Sequence, residues 1–116
     1  MRRTASVLFT AVILAIMALP LFAQAPDGKP LYLKHCRSCH GTTGTPTNQA
    51  KREHPDIRAL DAAFLSKIPV DSVVAVIANG FEKGDEMKPF RKKMTAEEIL
   101  AVARYVKEVL GAPKPK

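Results

Sequence analysis

From Gly28 to Leu110 apolar residues recur at helical intervals, separated by polar stretches rich in glycine and proline. Asp27 is placed to cap a short helix over Gly28–Lys34, with Pro30 tolerated in its first turn and Leu31 and Tyr32 as its apolar members. Ile57, Leu60, Phe64, Leu65 and Ile68 share one face of a predicted helix over 57–68. Asp71 is the next N-cap candidate, followed by Val73, Val74, Val76 and Ile77 and a stop at Asn79-Gly80. This β-branched run would also suit a strand, but the signals at both ends favour helix. Thr95-x-x-Glu98 is a capping box that opens the clearest helix, Ala96–Leu110. Ile99, Val102, Val106 and Leu110 form its apolar face, Glu97, Arg104, Lys107 and Glu108 the opposite one, and Gly111 ends it. Gly41–Pro55 and Phe81–Lys93 read as loops, the first of about fifteen residues, long enough to wrap a ligand. The expectation is an all-α domain of four or so short helices.

The first 25 residues stand apart. Arg2-Arg3 precedes a stretch from Val7 to Leu19 that is apolar except for Thr10; Pro20 follows, then Ala23-Gln24-Ala25. Positive start, apolar centre and small-residue cleavage pattern describe a secretory signal peptide over residues 1–25. The apolar stretch is short for a bilayer span, and the alternative is an uncleaved anchor. Arg2-Arg3 lacks the surroundings of a twin-arginine signal, and no cysteine near the cut offers a lipid attachment point. The domain proper is then 26–116, working in the periplasm or otherwise outside the cytoplasm.

Composition narrows the class. With 47% hydrophobic and 25% charged residues in 116, the chain suits one globular domain and excludes wholesale disorder and a multi-span membrane protein. Two cysteines are too few for a disulfide scaffold. The formal charge is +7, and +5 once Arg2 and Arg3 leave with the signal. Export makes nucleic acid a poor partner despite that balance. Beyond the signal the aromatics are only Tyr32, Phe64, Phe81, Phe90 and Tyr105, so something other than side chains is expected to supply part of the interior.

The chemistry is concentrated in Cys36-Arg37-Ser38-Cys39-His40. C-x-x-C-H is the attachment motif for c-type haem. Two cysteines three apart at a helix end project to one side, so both sulfurs can add to the vinyl groups of one porphyrin, and His40 follows where its imidazole can bind the iron. Three other readings compete. A thioredoxin-like redox pair needs a βαβ context that is absent. A zinc site drawn from Cys36, Cys39 and two of His35, His40 and His54 has no second paired motif. A plain disulfide leaves His40 unexplained.

A second axial donor is sought among His35, His54, Met87 and Met94. Met94 sits one residue before Thr95, the N′ position of a hydrophobic staple, and reads as core. Met87 lies in a charged loop, Gly84-Asp85-Glu86-Met87-Lys88-Pro89-Phe90, where a thioether has little reason to be unless captured. Met87 is therefore the favoured ligand. His35 and His54 read as solvated surface groups.

At this point the sequence resembles the class I c-type cytochromes, small exported haem proteins with His/Met ligation. The resemblance covers nearly all of residues 27–110. It runs through Gly28, Leu31-Tyr32, Cys36-x-x-Cys39-His40-Gly41, Ile77-x-x-Gly80, Met87-x-Pro89-Phe90, Thr95-x-x-Glu98-Ile99 and Tyr105-Val106. It implies the cytochrome c fold around a single covalently bound haem c, with the first and last helices crossing near the haem and Tyr105 or its neighbours packed there. It also implies Met87 as axial sulfur and Pro46 in the loop on the His40 side. One departure is Lys88 directly after Met87, where many members carry proline.

The expected function is electron transfer between exported redox partners, with no open iron position, no nucleophile–base pair and hence no enzyme activity in the strict sense. Alternatives are a haem subunit held permanently in a dehydrogenase or oxidase complex, and a gas sensor or peroxidase-like protein from which Met87 is displaced. Lys88, Arg91, Lys92 and Lys93 follow the proposed ligand closely and suggest docking to an acidic partner, against the alternative of an ordinary solvated face. No small-molecule substrate is expected, and no membrane contact unless the signal segment is retained.

Overall fold

The computed structural model describes residues 24–81 and 87–115. Most of the proposed signal peptide and the Glu82–Glu86 part of the second loop lie outside the described residues. What is described is helical, with no strand. Among the described residues six α-helices follow in chain order: α1 Gly28–His35, α2 Arg37–His40, α3 Asn48–Glu53, α4 Ala62–Leu65, α5 Val70–Asn79 and α6 Ala96–Tyr105. A π-helical turn, Val106–Leu110, extends α6, and the Gly111 amide bonds back to the Val106 carbonyl at 2.8 Å. No helix among the described residues is long and apolar enough to cross a membrane.

Local chemistry sets most of these boundaries. Asp27 accepts from the Lys29 amide at 3.0 Å and starts α1 where expected. The capping box of α6 is complete: the Glu98 amide donates to Thr95 Oγ1 at 3.2 Å and the Thr95 amide to Glu98 Oε2 at 2.9 Å. Met94 and Ile99, the N′ and N4 residues, are both buried in the core, as a staple requires.

Three expectations need correction. The helix expected over 57–68 is only the four residues of α4, because Asp61 caps it, accepting from the Phe64 amide at 2.9 Å. The first loop contains α3, opened by Thr47, whose Oγ1 accepts from the Ala50 amide at 3.2 Å. α5 begins two residues early: Pro69, not Asp71, is its N-cap, and Asp71 lies in the first turn, where its charge suits the helix dipole.

The core gathers where α1 and α5 pack on α6; Tyr32, Ile77, Met94, Ile99, Val102, Ala103 and Val106 are buried there. The most extensive helix–helix contact is between α1 and α6. At that crossing Gly28 is pressed against the Ala101 carbonyl, and a Cβ on it would also stand 2.9 Å from Cβ of Tyr105. The rings of Tyr32 and Tyr105 meet at 5.4 Å between centroids, tilted by 51°. Lys107, expected on the solvent face, instead reaches across to the Leu65 carbonyl and caps α4, a cation at a helix C-terminus.

A methyl group at Gly28 has backbone, not a flexible side chain, in its way. Gly28→Ala is expected to destabilise the protein by about 1–3 kcal/mol by separating α1 from α6. The shift of the guanidinium unfolding midpoint measures it.

Candidate functional site

The C-x-x-C-H motif is the continuation of α1. The Cys36 amide donates to the Tyr32 carbonyl at 2.8 Å, closing α1. The Cys36 carbonyl then accepts from the Cys39 amide at 3.3 Å and the His40 amide at 2.9 Å, opening α2. One backbone turn thus carries all three chemical groups. Both cysteines are free thiols, Cys36 buried and Cys39 half-buried, while Arg37 and Ser38 between them are exposed. Burial, followed by the neighbouring Cys39, pushes the Cys36 thiol up to about 11, so it stays protonated at neutral pH.

The chain after His40 folds back beneath α2. The Thr47 amide donates to the Cys39 carbonyl at 3.0 Å and its hydroxyl to the Ser38 carbonyl at 3.0 Å; Pro46 is buried in this loop. Tyr32 Oη donates to the Gly41 carbonyl at 2.7 Å. Nδ1 of His40 is buried without a hydrogen-bond partner. Burial also holds His40 below its ordinary value of 6.5, which favours the neutral imidazole, the form that binds metal.

Met87 lies in a segment that returns to the end of α5. Gly80 ends α5 at φ 68°, and its missing side chain leaves room for the Met87 carbonyl, with the Pro89 nitrogen 3.0 Å from where a Cβ would stand. The Phe81 amide donates to that carbonyl at 3.2 Å, and the Phe90 amide to the Ile77 carbonyl at 3.0 Å. Met87 is half-buried against the core. Phe90 meets the His35 ring edge-on at 5.9 Å, which brings the Met87 loop against the residue preceding Cys36. His35 is therefore half-buried, not the solvated group expected. Met94 is only 6% exposed and lines a groove with Val74, Ala78 and Ile99, between α5 and α6.

Residues 23–106 match the family model described as cytochrome C oxidase, cbb3-type, subunit III. The chain belongs to this family of c-type cytochromes. The solved structure of the c-type cytochrome KustC0563 is 34% identical to this cytochrome over 72% of this chain and 96% of its own, with a TM-score of 0.62. A point mutant of that protein is likewise 34% identical, over 71% of this chain and 96% of its own, with a TM-score of 0.61. No curated protein matches.

Cytochromes of this family bind haem c covalently. The residues here fit that group: two free thiols on one turn, a neutral histidine directly after them and a buried ring nitrogen without a protein partner. Sequence reasoning missed two supporting residues. Tyr32 reads as an apolar helix member, although a buried tyrosine generally needs a partner for its hydroxyl. Gly80 reads as a helix stop, but it also seats the Met87 segment.

The lowered His40 value has a pH consequence for the haem-free chain, in which no iron holds the imidazole. The unfolded chain takes up a proton near 6.5 and the folded chain only at lower pH, so stability is greatest above 6.5 and falls as pH drops below it. One such group contributes a slope of at most about 1.4 kcal/mol per pH unit. Urea midpoints at pH values between 7 and 5 should fall accordingly, and the fall should persist in the double variant His35→Gln/His54→Gln.

Proposed function

We propose that this cytochrome passes single electrons between exported redox partners through one haem c held by Cys36, Cys39, His40 and Met87. The observation that carries this reading is the single turn in which two free thiols are followed by a neutral, partly buried histidine. Bound covalently and ligated by an imidazole and a thioether, haem offers a one-electron couple of raised potential with no open iron position. The chain's part is to hold and tune. Cys36 and Cys39 supply the thioether sulfurs, and His40 supplies an imidazole that burial keeps neutral. Met87 supplies a sulfur from a segment braced by Gly80, Phe81 and Ile77. Such bracing suits electron transfer, because ligands that move little need little reorganisation.

Docking is proposed through the exposed cations Lys88, Arg91, Lys92 and Lys93, beside the Met87 segment. They would steer the cytochrome toward a partner with acidic groups. Export through a cleaved signal at residues 1–25 belongs to the same reading. A second reading takes its support from the family description, which names an oxidase subunit. In it the same haem domain resides permanently in a complex, and a partner that copurifies stably distinguishes it from a free shuttle.

The ligand assignment is tested by Met87→Ala and Met94→Ala. The iron–sulfur charge-transfer band of the ferric protein should vanish in the first and persist in the second, which should instead lose about 2–5 kcal/mol of stability as a truncated core residue. The opposite pattern of band loss would make Met94 the ligand. Reversing charge at Lys92 and Lys93 should slow electron transfer to an acidic partner about tenfold at low salt and flatten its salt dependence; an unchanged salt slope removes the patch from docking. Mass spectrometry of the exported protein should find Pro26 as its first residue.

A further inference from the structure

Tyr32 is fully buried, at 0% exposure, and its ring is held by the α1–α6 crossing and by Tyr105. Phenylalanine would serve that packing without bringing a hydroxyl into the interior, where a polar group needs a partner. The partners lie at the end of the haem motif. Tyr32 Oη donates to the Gly41 carbonyl at 2.7 Å and lies 3.4 Å from the His40 carbonyl. His40 ends α2, and Gly41 departs from the helix at φ 68°, so the His40 and Gly41 carbonyls belong to a helix end whose acceptors need donors from elsewhere. His40 is thereby gripped from both sides: its amide bonds to the Cys36 carbonyl at 2.9 Å, and its carbonyl and the next face one buried hydroxyl.

We propose that Tyr32 is a positioning residue for His40: its hydroxyl, through the His40 and Gly41 carbonyls, fixes the orientation in which the imidazole is presented. The proposal rests on His40 being an iron ligand. Tyr32→Phe keeps the ring and removes one oxygen, so it separates the hydroxyl from the packing. Tyr105→Phe, at the other ring of the same pair, is the control.

The test uses the ferric holoprotein with labelled histidine. NMR reads the hyperfine-shifted His40 ring signals, which depend on imidazole orientation, and electrochemistry reads the reduction potential. In Tyr32→Phe both should move from their wild-type values; in Tyr105→Phe both should stay. A Tyr32→Phe protein that melts at a lower temperature with unchanged His40 signals and potential would show the hydroxyl to be merely structural and overturn the proposal. Should Tyr32→Phe not mature, a second route remains. The chain has two tyrosines, so in the Tyr105→Phe background ring-fluorinated tyrosine labels Tyr32 alone with a stronger donor. The His40 signals should then shift, and in the opposite direction to Tyr32→Phe wherever that variant is obtained; no shift overturns the proposal. Absence of any hyperfine-shifted His40 signal in the wild type would instead refute His40 as ligand, and the proposal would fall with it.

Discussion

The close crossing of α1 and α6 is the constraint from which the rest of the structure follows. It exists because Gly28 carries no side chain, letting the first turn of α1 rest on the Ala101 carbonyl. Once α1 lies there, Tyr32 is carried into the interior one turn later, and the Cys36 amide closes on the Tyr32 carbonyl at 2.8 Å. The haem motif is thus the direct continuation of a helix held firmly against α6. Its placement needs no long loop and little extra ordering entropy, since the residues that would otherwise be free are already held by packing.

The Met87 side is built by different means. α5 ends at Asn79, and the Met87 segment is fixed by hydrogen bonds to the last turn of that helix and by the edge contact of Phe90 with His35. Gly80 is decisive because its left-handed conformation and missing Cβ let the returning chain lie against the helix end. The cations that follow Met87 are exposed, except that Lys93 also lies over the Phe90 ring at 5.5 Å from its centroid. The same short stretch therefore combines a half-buried thioether, an anchoring aromatic and a solvent-facing positive surface.

Where local chemistry decides, the sequence is legible. The Asp27 cap, the Thr95–Glu98 capping box, the glycine stops and the C-x-x-C-H turn depend on neighbours a few residues apart, and each is found in the structure. Where distant groups decide, it is not. α3 has only Ala50 buried and no apolar periodicity to betray it. The apolar spacing from Ile57 to Ile68 is helical in pattern, yet Asp61 takes up the Phe64 amide and starts α4 there, and the chain before it stays irregular. Lys107 and Tyr32 look like a surface cation and a core aromatic. Their true partners, the Leu65 and Gly41 carbonyls, are brought near only by the fold.

His40 and the Met87 segment, the two parts of the proposed site, also differ in how they can open. His40 is tied into a contiguous helical turn next to the core, so freeing it means unwinding α2 and disturbing the Tyr32 contact. Met87 is tied by a few bonds between a loop and a helix end, with few buried neighbours of its own. Local opening starts where buried contacts are few and backbone bonds are exposed. Opening the Met87 segment is therefore expected to cost less than freeing the His40 turn. The asymmetry follows from topology: the His40 turn continues directly from α1 into α2, and the Met87 segment must be assembled across the chain.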